Sequence, residues 1–350
     1  MTNLLFLLVL GLVCAVALSW GCRRLTDPQW QIWATLPRYD SASGAWLGTN
    51  LTWYGLITAT ANLLALLVVF CLLGSIGVPG PAMLLVAGAL LLVALPAARW
   101  VAWLVEGKRH TFTVGGAVFV GFVTLPWILV GYNHWVATVP ADALPVLVVM
   151  GVVATGYAFG EGFGRLACIS YGCCYGKPLE ACGPLMRGLF ERRHFVFRGE
   201  TKKIAYAAGL EGESVVPVQG ITAGLYCLTG LIASGLFLAG HFASAFLLAV
   251  WVTQGWRVVS ELWRADYRGN GRLSAYQVMG LLLLPYALLL AGLFPTSSGM
   301  AVDMARGLRG LWQPSVLLAL QGSWLVTFLF LGRSQVTGAR LSFHVHTERI

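Results

Sequence analysis

The sequence predicts an all-α polytopic membrane protein with about nine transmembrane helices and a small extramembrane cap. Three observations predict it. Of 350 residues, 58% are hydrophobic and only 11% charged, whereas soluble domains carry about 25% charged residues. Apolar runs of bilayer-crossing length recur at roughly 3–20, 53–76, 82–104, 114–132, 143–160, 218–239, 241–256, 276–294 and 311–332. The alternating pattern of a membrane β-barrel is absent. The net charge of +9 then points to anionic lipid, which basic juxtamembrane surfaces attract, and not to nucleic acid.

Taken in order, residues 1–49 read as an anchor helix and a connecting arm. No basic flank precedes the first apolar run, and Trp20 in Ser19-Trp20-Gly21-Cys22 suits neither cleavage nor lipidation, so the helix is retained rather than removed. Residues 50–295 form the membrane core, with an extramembrane cap at 177–217. Residues 296–350 add a further helix and a tail. Trp53-Tyr54-Gly55 opens the second run, and Gly115-Gly116 lies near the start of the fourth. A glycine pair there serves either close helix packing or anion contact through exposed amides. The fifth run leads into Gly160-Glu161-Gly162-Phe163-Gly164-Arg165 and on to Lys177, with three cysteines in the same span. This stretch reads as irregular chain flooring a site, which membrane depth tolerates only inside protein or beside a watered cavity. The cap is basic and aromatic (Arg187, Arg192, Arg193, Phe195, Phe197, Lys202) and is expected to lie on lipid headgroups.

Alternating nine crossings puts the loops 21–52, 105–113, 161–217 and 257–275 and the tail 333–350 on one side. That side collects all of the 23 Lys and Arg except Arg99, Arg306 and Arg309. Such bias is a topology signal and equally the mark of an anion-handling face. On that face, Arg257, Glu261, Arg264 and Arg268 fall at helical spacing after the seventh run. Glu261 pairs with Arg257 or Arg264, and the surplus of guanidinium suits a phosphate. The bland alternative is an interfacial salt-bridged stripe. Cys168, Cys173, Cys174 and Cys182 share the opening region, but their spacing lacks a repeated two-residue zinc knuckle. Structural thiols or a disulfide are expected there, with no metal and no cofactor; the lesser alternative is a redox or nucleophilic thiol whose pKa Arg165 and Lys177 lower. Cys14, Cys71 and Cys227 read as small core residues.

The order of these landmarks resembles the bacterial prolipoprotein diacylglyceryl transferase family. The resemblance spans about residues 50–295 and rests on five motifs in the same order. They are Trp53-Tyr54-Gly55, Gly115-Gly116, Gly164-Arg165 with Gly172 and Tyr175-Gly176-Lys177, Pro217-Val218-Gln219, and Arg257 with Glu261, Arg264 and Asp266. It implies a seven-helix core with one added helix at each end. It implies transfer of a diacylglyceryl group from phosphatidylglycerol, or another anionic phospholipid, to the cysteine thiol of a lipoprotein precursor in the bacterial inner membrane. Arg165, Arg257, Glu261 and Arg264 would be catalytic, the arginines steadying the leaving phosphate and Glu261 orienting one of them. Tyr54, Gly115, Gly116, Tyr171, Cys173, Gly176, Lys177, Gln219 and Asp266 would bind substrate.

The sequence departs from the family pattern where the acceptor is handled. Cys168, Tyr171 and Cys173 stand in place of Asn, Asn and Glu, and Val114 stands in place of the His before the Gly pair. His110 lies four residues before Val114. The Asp of the last motif comes one position early, the Tyr-Glu after Pro217-Val218-Gln219 is missing, and no residue is identified as the base. One rival enzyme uses the same donor lipid with a hydroxyl or amine acceptor, or with Cys173 or Cys174 as a covalent relay. A non-enzyme rival is a lipid or anion transporter or a lipid-binding scaffold. Transport is disfavoured because charge collects at one end of the helices instead of at the midplane. The family's site faces outward, whereas the basic bias alone puts this face inside; arginines committed to lipid inflate that bias, so the outer face is expected.

Overall fold

The computed structural model describes residues 1–106, 114–266, 273–296 and 299–350. The helices in chain order are α1 (Thr2–Arg24), α2 (Trp53–Ser75), α3 (Gly80–Glu106), α4 (Val114–Trp135) and α5 (Val146–Tyr171). Two short cap helices follow, α6 (Pro184–Phe190) and α7 (Lys203–Ala208). The chain continues with α8 (Val218–Leu238), α9 (Phe242–Glu261), α10 (Ala275–Leu293), a short α11 (Met304–Gly310) and α12 (Pro314–Leu331). Among the described residues nine of these are long and apolar enough to cross a membrane. The chain is an all-α polytopic membrane protein.

Helix α5 is the hub. It packs against α2, α8 and α9 and is buried along most of its length, through Gly151, Ala154, Gly156, Ala158 and Gly162. Small residues let helix backbones approach where no solvent-driven force separates lipid from side chain. The outermost helices behave oppositely. α1 exposes Leu4, Leu5, Leu8 and Val9, and α12 exposes Leu318, Leu325 and Val326, the pattern of a lipid-facing helix.

Three sequence expectations change. The stretch from Gly160 is not irregular: α5 continues to Tyr171, and Gly172, in the left-handed region at φ 72°, ends it. A glycine needs no extra room in a helix, and Gly160 and Gly162 lie against Ala65 of α2 and Cys227 of α8. The arm and the tail, expected as separate units, meet in one antiparallel sheet. Strands β1 (Ile32–Asp40) and β2 (Ala45–Thr52) form a hairpin that pairs β2 with a strand of the tail, Arg333–Leu341. The stripe after the seventh span is not helical throughout, because α9 stops at Glu261. Arg264 lies beyond it in extended chain, bridged to Gly176. Arg268 and His110 fall outside the described residues.

The cap is docked on the helix ends through its aromatic residues, while Arg187, Arg192 and Arg193 stay exposed. Its strands β3 (Phe195–Val196) and β4 (Ser214–Val215) pair with each other, so the tail strand is β5. Phe195, Phe197, Ile204 and Val215 bury against Leu25, Leu166, Ile169 and Tyr175. Lys202, read as part of the basic surface, is fully buried and donates to the Leu25 carbonyl at 3.0 Å and the Ser170 carbonyl at 2.6 Å. Those carbonyls terminate α1 and α5, where the helix dipoles favour a cation. Gln31 ties the arm to the cap: its amide nitrogen donates to the Thr201 backbone carbonyl and its amide oxygen accepts from the Thr201 hydroxyl, both at 2.7 Å.

α11 lies against α2 so tightly that a Cβ on Gly307 would collide with the Cys71 carbonyl.

Candidate functional site

The polar landmarks converge where α5 and α9 end and α8 begins. Arg165 comes from α5, Arg257 from α9, Arg264 from the chain after it and Gln219 from the first turn of α8. Together with Cys174 and Tyr226 they line one cavity. Its backbone frame is the segment after Gly172. The Lys177 amide donates to the Trp263 carbonyl at 2.9 Å and the Ala265 amide to the Tyr175 carbonyl at 3.1 Å. The Val216 amide in turn donates to the Lys177 carbonyl at 3.0 Å. These bonds bind the loop 173–177 between the start of α8 and the chain after α9, so Arg264 is held opposite Gly176, two residues beyond Cys174.

The arginines are not left bare. Arg264 makes a two-pronged bond to Asp266, both contacts 2.7 Å, and a longer ion pair to Glu261 at 3.5 Å. Glu261 also accepts from the Ser274 hydroxyl at 3.3 Å. Arg165 pairs with Glu161 one turn earlier on α5. The cation surplus read from the sequence is therefore smaller at the site itself, because Glu161 and Asp266 offset two guanidiniums. Arg257 differs: it donates to the Tyr157 hydroxyl at 3.3 Å, and no carboxylate pairs with it among the described residues.

Two buried polar atoms in the cavity lack a partner, Arg165 Nε and Gln219 Oε1. One is a donor and the other an acceptor, and buried groups of either kind are ordinarily satisfied. The Gln219 amide nitrogen is used, donating to the Cys173 carbonyl at 2.9 Å. The cavity is tight, with room for about one water-sized sphere. A larger anion enters only by parting the side chains. An apolar cavity of about 100 Å³ exists near Leu66, Val69, Leu73 and Leu90, but it sits toward the other end of α2 and does not extend the arginine site.

Of the remaining predicted residues, Gly115 belongs to the site. A Cβ there would stand 2.6 Å from the Tyr276 ring and 2.8 Å from the Arg257 guanidinium. Gly116 does not, since it faces Val101 of α3 and serves packing. Tyr54 lies within electrostatic reach of Arg165 and the cysteines, its ring 5.5 Å from that of Tyr171. Tyr171 itself turns outward, its hydroxyl 2.8 Å from that of Tyr206 in the cap. Gly176 gives its backbone to Arg264 and lies against Val216. The Lys177 side chain is exposed and absent from the cavity wall; its contribution is the backbone clamp.

Sequence reasoning missed Glu161, Tyr157 and Tyr226. The Glu161–Arg165 spacing of four on one helix was a readable signal. The tyrosines gave none, because they lie inside apolar runs on separate helices. Of the four cysteines grouped by the sequence, three come together and Cys182 does not join them. The sulfurs of Cys168, Cys173 and Cys174 all lie within 4.8 Å of one another, with Cys173 and Cys174 at 3.9 Å. Cys174 is the sole described non-glycine residue at positive φ, 57°. Hydrogen bonds from Cys168 and Cys173, helped by Arg264 and Arg165, hold the Cys174 thiol well below its ordinary value against burial. Those same contacts and burial push Cys173 well up. Burial works against the charge on Arg264, yet Cys174, Asp266 and Glu261 keep it protonated well above its usual range.

No protein-family model matches this chain, and no curated protein matches it.

Proposed function

We propose that this protein is a phospholipid-dependent diacylglyceryl transferase of the prolipoprotein diacylglyceryl transferase type, moving a diacylglyceryl group from phosphatidylglycerol to a cysteine thiol. One observation carries the reading. Arginines from three segments line a single cavity in which a buried donor, Arg165 Nε, and a buried acceptor, Gln219 Oε1, are both unmatched. A phosphoglycerol headgroup brings the complementary pair, an anionic oxygen and a hydroxyl. Arg257, without a carboxylate partner among the described residues, is the arginine most available to the phosphate as the carbon–oxygen bond breaks. Preorganised charge of this kind is often the largest single contribution to catalysis. Under this reading the protein sits in a bacterial inner membrane with the site on the outer face.

A second reading, a lipid-binding scaffold without turnover, is favoured by the carboxylate pairing of Arg165 and Arg264, which a purely structural lock would share. Purified protein with labelled phosphatidylglycerol and a precursor lipopeptide separates the two. Release of glycerol phosphate with labelling of the lipopeptide is expected, falling on the order of 100-fold in Arg257→Ala. Turnover without lipopeptide labelling would transfer the reading to a hydroxyl or amine acceptor. Lipid retained but never cleaved would establish the scaffold.

A further inference from the structure

The thiol cluster was not needed by the phosphate site, yet Cys174 is part of that site's wall. Its three sulfurs come from two pieces of chain. Cys168 stands on the last turn of α5, while Cys173 and Cys174 follow the helix-ending Gly172. The Cys173 amide donates back to the Cys168 carbonyl at 3.0 Å, so the chain folds over its own helix end and turns both later cysteines toward the first. Cys174 does this from a left-handed backbone, a conformation unfavourable for a non-glycine residue.

The spacing suits a tetrahedral ion. With zinc–sulfur bonds of about 2.3 Å, two ligand sulfurs stand about 3.8 Å apart; Cys173 and Cys174 stand at 3.9 Å and all three sulfurs fall within 4.8 Å. Three thiolates and one divalent zinc leave a single negative charge, next to Arg165 and Arg264 in the same cavity wall. Three protein ligands also leave one coordination position over, as in catalytic zinc sites and unlike closed structural ones. A thiol that coordinates zinc loses its proton outright.

We propose that Cys168, Cys173 and Cys174 form a three-thiolate zinc site whose remaining position takes the acceptor thiol and delivers it as a thiolate beside the phosphate-binding arginines. The metal half stands by itself; the acceptor half rests on the transferase reading. In that reaction the acceptor S–H gives its proton to solvent on coordination. Its sulfur then forms a bond to the terminal glycerol carbon of the diacylglyceryl group. The bond from that carbon to the phosphate oxygen breaks, and glycerol phosphate leaves with the electron pair, steadied by arginine. Nothing is oxidised or reduced. The cysteines thus supply what the sequence lacks, a means of deprotonating the acceptor. A covalent relay through Cys174 is a poorer use of it, because alkylating that sulfur yields a stable thioether with no ready leaving group.

The test uses the full-length protein in detergent micelles, loaded with zinc or cobalt and separately with copper(I). One zinc or cobalt per chain is expected after gel filtration, with the intense visible bands of tetrahedral cobalt thiolate. Cys174→Gly, which relaxes the backbone while deleting a ligand, should lose the metal yet melt no lower than metal-free wild type, and Cys182→Ser should keep the metal. Added lipopeptide with its cysteine should shift the cobalt bands, and the Cys→Ser lipopeptide should not. Zinc that fails to stay bound, or that stays equally in Cys174→Gly, overturns the site. Retention of copper(I) alone overturns the zinc assignment, and bands unmoved by lipopeptide overturn the acceptor role. These spectra need no phospholipid, so a coordinated acceptor without lipid turnover would sink the transferase reading and leave the metal site standing.

Discussion

At the scale of the residue, Gly115 and Lys202 show how single positions set the site and its roof. Gly115 leaves no space between α4 and the Arg257 guanidinium. Gly115→Ala sets a methyl group against both the Arg257 guanidinium and the buried Tyr276 ring, and misplacement of a catalytic group by about 1 Å costs on the order of 100-fold. Lipid turnover should therefore drop steeply in Gly115→Ala, and displacement of the Tyr276 ring should lower the melting temperature as well. Lys202 is a different case. Burial lowers its pKa from 10.5 to about 8, with Asp27 opposing. Between those pH values the unfolded chain still holds a proton that the folded one has released, so stability from this group rises with pH across that window. The rise is on the order of 3 kcal/mol. Unfolding measured from pH 7.5 to 10.5 should show it, and Lys202→Met should flatten it. The sequence could mark Lys202 only as one more cation in a basic loop. Its burial depends on α1 and α5 ending side by side beneath it, which no local pattern states.

Among the elements, the nine spans were legible because bilayer thickness fixes their length and hydropathy marks it. The residues ending α5 were not. Gly160 and Gly162 looked like breakers, yet a glycine packed against a neighbouring helix is as characteristic of membrane interfaces. Sequence alone cannot tell which neighbour is present. The arginine face had a similar fate: residue types and sidedness were readable, whereas the partners Glu161 and Asp266 decide how much charge remains for a ligand. The thiol cluster was discounted for its spacing, because zinc knuckles presuppose a hairpin. Here a helix end and the loop after Gly172 do the same work. Close packing of elements also makes a stability prediction. Gly307→Ala sets a methyl group against the Cys71 carbonyl and should lift α11 from α2. A loss of roughly 1–3 kcal/mol is expected, read as a lower melting temperature in detergent with no change at the arginine cavity.

For the molecule as a whole, the nine candidate spans among the described residues are odd in number. Reporters fused at Met1 and after Ile350 should lie on opposite sides of the membrane, and one inserted at Glu200 should share the side of Ile350. Agreement of Met1 with Ile350 would mean that one of the nine helices does not cross. The sheet adds a constraint of its own. Strand β2 is central, flanked by β1 from the arm and by β5, which begins at Arg333. A ribosome releasing this chain delivers β1 and β2 before most of the bundle and β5 after all of it. The edge of β2 thus waits, with open amides and carbonyls, until α12 has been made and the strand Arg333–Leu341 follows it.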